Sequence, residues 1–364
     1  MRSNVRTIVT DEAAELYITA APDCGLSVKA QAEWMFSGIV ETLKKNNTSI
    51  FQERIFCTEE SCELIESLRT KIYDTIDDGV EPSWLKIPEN GATGEFAGIA
   101  VYAISSDRKP SVIEYENKKC GRKIDFAAST LLSLSDIKGN GAIDRAVQSR
   151  QMIERSEEIL SLNGLDFSNV GRTWMWLENI LQWYGDFNRV RNEFFIGKGL
   201  IKKGAPSKMP ASTGIGIGPV GKGDCTMDLI ACSEPIEYLD AGGNQKSAYE
   251  YGSAFSRATK IKTPTGTTVY ISGTASIDED GSTTNLDNAD GQIADTIKNI
   301  RAVVEQAGCK DSDITSAIMY CKTPDVEKLF LEKYGDIGWP YLTAVTDICR
   351  DDLLFEIEAV AVLR

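Results

Sequence analysis

Two glutamates, Glu356 and Glu358, alternate with apolar residues in the strand-like run 355–361. Alternate side chains of a strand point to the same face, so both carboxyl groups are expected on one side of a sheet. Burial without a partner raises the pKa of a carboxyl group toward neutrality, and such a glutamate can act as a general acid at pH 7. Solvated carboxylates or structural ion pairs are the alternative interpretation.

The chain has 364 residues and no histidine. Catalytic triads with a histidine base, histidine-ligated zinc and imidazole proton relays are therefore excluded, and acid–base chemistry falls to Glu, Asp, Lys, Tyr or Cys. The nine cysteines are scattered without a Cys-x-x-Cys pair, which favours reduced thiols over a disulfide framework or a zinc site. We expect neither a metal nor another cofactor.

Two arginines lie close to aromatic residues in the middle of the chain. Arg172 shares a strand face with Trp174, and Arg191 follows Tyr184 by seven residues and Phe187 by four in a predicted helix. A guanidinium on an aromatic-lined face suits a planar carboxylate, which it can bind through two hydrogen bonds. Each could equally be a surface arginine stacked on an aromatic ring.

The charge balance narrows the class of partner. Lysine and arginine number 39 against 54 acidic residues, a net charge of −15 that repels nucleic acid. No apolar run approaches the roughly 20 residues of a membrane span, and the N-terminus lacks the apolar core of a signal peptide. We therefore expect a cytoplasmic protein whose partner is a small-molecule carboxylate, with no nucleic acid and no membrane.

Three segments of the chain share one order of signals: a glutamine that opens an amphipathic helix, a turn, a β-rich run and an alanine-rich strand. Asn and Gly, which accept the left-handed conformation that ends a helix, follow each glutamine by 16 residues. The pairs are Gln31 and Asn47, Gln148 and Gly164, and Gln292 and Gly308. Strand-like runs follow at 53–57, 171–176 and 317–321, and closing strands at 96–103, 225–231 and 355–361.

The repeat predicts an α+β fold of three similar units, 1–110, 111–240 and 241–364, joined by linkers at 105–110 and 240–245. Because the three units would cover each other's interfaces within one chain, no further subunit is needed to bury them, so we expect a monomer or a weak homo-oligomer. The glycine-rich segment 210–218 lacks the Gly-Lys-Ser/Thr ending of a phosphate loop. It predicts either close backbone approach to a ligand or a glycine-rich strand at a unit interface.

The third unit resembles the RidA/YjgF family of small trimeric proteins, whose ligand sites lie in the clefts between neighbouring chains. The resemblance implies three units with mixed sheets and helices on one face, arranged as a pseudo-trimer that keeps at least one cleft. It rests on the segment 272–275, Gln292, Gly308, Tyr320, Pro340 and the segment 355–361.

The middle unit is similar to the chorismatases, which carry RidA-like folds and cleave chorismate to pyruvate and a dihydroxycyclohexadiene or hydroxybenzoate acid. The similarity rests on the segment 172–174, Tyr184, Phe187, Arg191 and the segment 210–216. One feature departs from that family: a Gly-His pair is expected after Ser-Gly-Thr-Ala-Ser, but Ile277 is followed by Asp278 and Glu279. The exact substrate is therefore open.

The resemblance implies a site in the cleft between the middle and third units, with Glu356 as the general acid. Cys349 is the second candidate catalytic residue: it lies seven residues before Glu356, a separation that resembles hydroxybenzoate-forming chorismatases, although one buried thiol among nine is an equal interpretation. The implied substrate-binding residues are Arg172, Arg191, Tyr184, Ser212, Thr213, Gly273 and Thr274.

Two alternative functions remain open. RidA-like hydrolysis of imines or enamines uses an arginine in a Pro-x-Arg segment, but Leu342 and Ser212 occupy that position after Pro340 and Pro210. A non-catalytic module that binds a small aromatic or keto acid belongs to a different class of function.

Overall fold

The computed structural model describes residues 2–22, 25–105, 107–141, 144–202, 207–240 and 254–363. The helices of this part of the chain are α1 (Val28–Asn46), α2 (Glu59–Tyr73), α3 (Arg145–Leu162), α4 (Tyr184–Gly197), α5 (Ala289–Gln306) and α6 (Pro324–Tyr334). The strands are β1 (Arg2–Val9), β2 (Ala14–Ala21), β3 (Ser49–Cys57), β4 (Ser83–Lys86), β5 (Phe96–Ser105), β6 (Ser111–Tyr115), β7 (Lys118–Asp125), β8 (Thr130–Ile137), β9 (Val170–Leu177), β10 (Ala211–Ile215), β11 (Gly218–Pro219), β12 (Cys225–Cys232), β13 (Glu237–Leu239), β14 (Ala258–Thr263), β15 (Gly266–Ala275), β16 (Ile314–Cys321), β17 (Tyr341–Val345) and β18 (Phe355–Leu363).

The strands within the described ranges form three six-stranded mixed sheets with one shared topology. Their orders are β1-β2-β5-β3-β4-β11, β6-β7-β8-β12-β9-β10 and β13-β14-β15-β18-β16-β17. In each sheet the closing strand (β5, β12 or β18) lies between a hairpin and the strand that follows the long helix. The strand after the second helix then adds in parallel. The predicted threefold repeat of an α+β unit is confirmed.

The long helices α1, α3 and α5 begin and end as the repeat predicts. Each starts three residues before its marker glutamine, and each has a residue with positive φ just beyond its C-terminus. The glutamines are Gln31, Gln148 and Gln292, and the positive-φ residues are Asn47 (49°), Gly164 (77°) and Gly308 (86°). Helix termination in the left-handed region is thus common to all three units.

The marker glutamines of the second and third units tie the helix to the start of the closing strand. The Gln148 amide donates to Asp224 Oδ2 at 2.7 Å and accepts from the Asp224 N–H at 3.0 Å. The Gln292 amide accepts from the Leu354 N–H and donates to the Asp352 carbonyl, both at 2.8 Å. Asp224 and Leu354 directly precede β12 and β18, so these bonds help to position the strands that line the clefts.

Apolar residues in the described part of the chain form four buried clusters. Three of them lie between the helices and the sheet of one unit, as the helical apolar stripes require. The fourth collects side chains from all three sheets, and its aromatic members include Tyr17, Phe51, Phe56, Tyr102, Trp174, Trp176, Tyr270 and Tyr320. The units therefore pack as a pseudo-trimer within one chain.

Short strands pass between neighbouring units. The strand β11 pairs with β4 of the first sheet, and β13 pairs with β14 of the third sheet. The predicted unit boundaries remain a prediction, and the predicted linker residues Ser106 and 241–245 lie outside the described residues. Among the described helices, none has the length and hydropathy to cross a membrane.

Candidate active site

The described residues of the three units form three equivalent clefts. In each cleft the closing strand of one unit faces strands of the preceding unit: β5 faces β17, β12 faces β3 and β4, and β18 faces β9, while β10 lies against β15. Equivalent backbone positions therefore carry different side chains in three copies of one cleft. A comparison of the three clefts shows which one carries a carboxyl group that can donate a proton.

In the cleft between the first and third units, apolar contact occupies the position of Glu356. Gly98 occupies the position in β5 that Glu356 occupies in β18, and its φ is 133°. A Cβ at Gly98 would lie 2.7 Å from Leu342 Cδ2 and would overlap the Ala20 carbonyl. The closing strand here carries Gly98 and Ala100 where β18 carries its two glutamates.

The cleft between the first and second units contains a saturated ion pair. Asp228 is fully buried and accepts hydrogen bonds from Arg54 Nε at 3.1 Å, Trp176 Nε1 at 3.1 Å and the Asp136 N–H at 3.0 Å. The Ser83 hydroxyl donates to it as well. Protein groups thus already supply the hydrogen bonds that a buried carboxylate needs.

The cleft between the second and third units contains both predicted glutamates. Glu358 accepts hydrogen bonds from Arg172 Nη2 and Trp174 Nε1, both at 2.8 Å. Arg172 Nη2 also donates to Thr213 Oγ1 at 2.5 Å, while its Nη1 is buried without a hydrogen-bond partner among the described residues. Burial lowers the pKa of Arg172, and Glu358 opposes that shift.

Glu356 differs from Glu358 in its surroundings. It is 5% exposed, and within the part of the chain that the structure describes its carboxyl group accepts no hydrogen bond. Burial, reinforced by the charge of Glu358, raises the pKa of Glu356 to about 8, although Arg172, Arg257 and Arg350 oppose the rise. Glu356 is therefore mostly protonated at neutral pH and can donate a proton.

Two of the predicted substrate-binding residues contact this acid. Glu356 Oε1 lies so close to Gly273 that a Cβ there would overlap it, and the same Cβ would lie 3.2 Å from Thr213 Cγ2. The Gly273 N–H donates to Thr213 Oγ1 at 3.1 Å. Thr213 therefore links Arg172 to the strand β15 that supports Glu356.

Ser212 and Thr274 use their hydroxyl groups within the protein. The Ser212 hydroxyl accepts from Thr173 Oγ1 at 3.0 Å, and its backbone N–H donates to Ser272 Oγ at 2.8 Å. The Thr274 hydroxyl donates to the Ser272 carbonyl at 2.9 Å. Both residues are buried, and the bond from Ser212 to Ser272 joins β10 to β15.

The helix α4 carries two further predicted residues, of which Arg191 lies within electrostatic range of Cys349 in the third unit and Tyr184 stacks on an aromatic ring of the middle unit. Tyr184 stacks on Phe187 with ring centroids 6.1 Å apart, and its hydroxyl lies 3.7 Å from where a Cβ of Gly214 in β10 would be. Arg191 lies over the Phe187 ring at 5.1 Å and lowers the pKa of Cys349.

Cys349 lies in the segment between β17 and β18. Burial, and next the charge of Glu356, raises the pKa of this thiol to about 12, against opposing effects of Arg350 and Arg191. The thiol is therefore protonated at neutral pH, which excludes a standing thiolate nucleophile at this position.

Two arginines near Glu356 were not predicted from the sequence. Arg257 is 1% exposed and directly precedes β14, and Arg350 donates from Nη1 to the Gly281 carbonyl at 2.6 Å. Both lower the pKa of Glu356. Arg257 lies over the Phe255 ring at 5.5 Å, so the arginine-on-aromatic pattern that singled out Arg172 could have identified it.

The glycine-rich segment 210–218 is a strand at a unit interface, one of its two predicted interpretations. Residues 211–215 form β10, parallel to β9. The Gly216 N–H donates to the Asp347 carbonyl of the third unit at 2.9 Å.

A solved chorismatase structure matches the whole molecule. The match has a TM-score of 0.59 at 16% sequence identity and covers 98% of this chain and 100% of that chain. The chain has a chorismatase-like fold. The family model of endoribonuclease L-PSP matches residues 246–363, which places its match in the third unit.

Smaller solved proteins match part of the chorismatase-like fold. A YjgF-family protein from Mycobacterium tuberculosis is 22% identical, covers 35% of this chain and 99% of that chain, and has a TM-score of 0.26. A Rid-family protein from Yersinia pestis is 23% identical, covers 35% and 99%, and has a TM-score of 0.29. No curated protein sequence matches this chain significantly.

Proposed function

We propose that this protein is a cofactor-independent enzyme that cleaves the enolpyruvyl ether of chorismate to pyruvate and a hydroxybenzoate or dihydroxycyclohexadiene acid. The observation that carries the proposal is the buried carboxyl group of Glu356, whose pKa of about 8 keeps it protonated at neutral pH. It lies beside Arg172 in a molecule with a chorismatase-like fold. The absence of histidine agrees with a glutamate as the acid.

The chemistry needs one positioned proton donor. Glu356 would protonate the terminal CH2 carbon of the enol ether, which leaves a positive charge on the adjacent ether-bearing carbon and a carboxylate on Glu356. Water would add to that carbon and return a proton to the glutamate, and the hemiketal would collapse to pyruvate and the alcohol. Where the ring then loses water, the product is a hydroxybenzoate. General acid catalysis of this type contributes about 10²–10⁴-fold in rate.

The cations around Glu356 fit a dicarboxylate substrate. Arg172 and Arg257 are each 1% exposed, and with Arg191 and Arg350 they concentrate positive charge in a chain of net charge −15. Arg172 Nη1 is a buried donor without a hydrogen-bond partner in the described part of the protein. A carboxylate oxygen of the substrate would satisfy it.

Cys349 has a narrower role in this proposal. Because its thiol is protonated at neutral pH, it would act through its shape and as a weak hydrogen-bond donor rather than as a nucleophile. The orientation of the substrate ring in the site would then decide between a hydroxybenzoate and a dihydroxycyclohexadiene acid. Mass spectrometry of the reaction products distinguishes these two acids.

Incubating the purified protein with chorismate and measuring pyruvate tests the proposal. The wild type should release pyruvate, and Glu356→Gln should lower the rate at least 100-fold, because the amide keeps the shape of the side chain but cannot donate an acidic proton. Glu63→Gln, the same substitution on the exposed side of α2, is the matched control and should behave as the wild type. Pyruvate release by the wild type no faster than by Glu356→Gln would overturn the proposal.

A further inference from the structure

The residue that pairs with Glu356 across the third sheet carries a buried hydroxyl group without a hydrogen-bond partner among the described residues. Tyr320 in β16 pairs directly with Glu356 in β18, so the two side chains share one face of the third sheet. Tyr320 is 0% exposed, and its hydroxyl group has no hydrogen-bond partner among the described residues. An unpaired buried hydroxyl group costs about 1–3 kcal/mol, whereas phenylalanine would fill the same space without that cost.

The internal repeat shows that this hydroxyl group is particular to the third unit. The equivalent residue of the first unit is Phe56, which pairs with Gly98 and has no polar side-chain atom. The equivalent residue of the second unit is Trp176, whose indole N–H donates to Asp228 at 3.1 Å. Of these three described positions, only the one beside the protonated glutamate has an unsatisfied donor.

A second unsatisfied donor lies within electrostatic range of Tyr320. Arg172 is held over the Trp174 ring at 4.5 Å and by its bonds to Thr213 and Glu358, all through atoms other than Nη1. The charges that act on Tyr320 are, from the largest effect down, those of Glu358, Arg54, Arg172 and Glu356, and Arg172 also interacts with Glu356. One cationic and one neutral donor therefore lie around the same acid, and neither is saturated by the described protein.

We propose that Tyr320 is a substrate-binding residue whose hydroxyl group, together with Arg172 Nη1, holds a carboxylate oxygen of the substrate next to Glu356. The inference rests on the proposed function and adds a residue that decides substrate class. A ligand with a carboxylate at this position satisfies two buried donors, whereas a neutral ether leaves both unpaired. The same contact fixes the distance between the anchored group and the acid.

Tyr320→Phe tests the inference because it removes one oxygen atom. The thermal midpoint should stay the same or rise, while kcat/KM for chorismate should fall about 10- to 100-fold, the range expected for a hydrogen bond to a charged group. Tyr270→Phe is the matched control, since Tyr270 is also buried with an unpaired hydroxyl group but pairs with Val360 rather than with Glu356. Its kcat/KM should stay within about twofold of the wild type.

The outcomes separate this inference from the proposed function. Wild-type kcat/KM in Tyr320→Phe, or equal losses in both variants, would overturn the role of Tyr320 and leave the proposed function standing. If the wild type binds chorismate by calorimetry without cleaving it, the proposed chemistry fails, and loss of binding in Tyr320→Phe alone still supports the contact. A wild type that neither binds nor cleaves chorismate overturns both proposals.

Discussion

Glu356 and Glu358 lie two residues apart on one face of β18, yet their hydrogen bonding differs. Glu358 accepts bonds from Arg172 and Trp174, which secures it as the anionic half of a buried ion pair. Glu356 lies against Gly273 and within the repulsive field of Glu358, so its carboxyl group keeps a proton. Two residues of one type thus provide an acid and a fixed counter-ion because their environments differ.

The raised pKa of Glu356 predicts the pH dependence of turnover. A general acid works only while it is protonated, so kcat/KM should be level at lower pH and fall as the pH rises through about 8. Steady-state pyruvate release measured between pH 5.5 and 9.5 would show this decrease in kcat/KM. A profile that rises through pH 8 would mean that the essential group acts as a base, contrary to the assignment of Glu356.

The same pKa predicts how stability depends on pH. An unfolded glutamate titrates near 4.3, whereas folded Glu356 titrates near 8, so the folded state binds one more proton between these values. The contribution is fully present below the unfolded pKa and is lost as the pH rises, at up to about 1.4 kcal/mol per pH unit.

Urea unfolding of the wild type and Glu356→Gln at pH 5, 6, 7 and 8 isolates this contribution. The stability of the wild type relative to Glu356→Gln should decline across the series, because the glutamine does not titrate. A difference between the two proteins that stays constant with pH would contradict a protonated Glu356 in the folded state.

At the scale of single elements, the close contact between β15 and β18 predicts how a methyl group added at Gly273 changes turnover. In Gly273→Ala the Cβ would overlap Glu356 Oε1, so the carboxyl group must move, and we expect turnover to fall at least 10-fold. Gly273 is not among the positive-φ glycines, so alanine fits its backbone and the fold should persist. Pyruvate release and the far-ultraviolet circular dichroism spectrum measure the two effects.

Gly38→Ala is the control for that substitution. Gly38 lies inside α1, and nothing lies within 4 Å of the position that its Cβ would take. Alanine should stabilise the helix by about 0.5–1 kcal/mol and leave turnover unchanged. Equal losses of turnover in both variants would show that the effect at position 273 is not local.

The sequence predicted the elements whose signals are local. Apolar periodicity and a left-handed residue define α1, α3 and α5, and buried alanine-rich runs define the closing strands. The two-residue strand β11 carries no such signal, since it exists only by pairing with β4 of another unit. Strands of this kind follow from the assembled fold.

The same distinction divides the residues of the candidate site. Glu356 and Arg172 could be selected because alternation within one strand places their side chains. The proximity of Tyr320 to Glu356 depends on the pairing of β16 with β18, and that of Arg257 depends on the strand order β14-β15-β18 within the third sheet. Such long-range contacts follow from topology and register, which no local pattern specifies.

At the scale of the whole molecule, the three clefts of the pseudo-trimer have diverged into three states. Leu342 packs against Gly98 in one cleft, and Arg54 with Asp228 occupies the second. The third cleft places a protonated glutamate beside Arg172, whose Nη1 has no hydrogen-bond partner among the described residues. Carrying the units in one chain allows this divergence, because each cleft can change its residues independently, whereas identical subunits must keep identical clefts.

This asymmetry predicts a binding stoichiometry of one ligand per chain. Calorimetric titration of Glu356→Gln with chorismate should give one site, because Leu342 packs at Gly98 in one of the other clefts and Arg54 already pairs with Asp228 in the second. The Gln variant prevents turnover during the titration while keeping Arg172 in place. A stoichiometry of two or three would show that a ligand displaces the ion pair or the leucine.

Asp228→Ala distinguishes the clefts further. It should leave the single binding site intact and lower the free energy of unfolding by about 3–5 kcal/mol, because it leaves the buried Arg54 cation without its counter-ion.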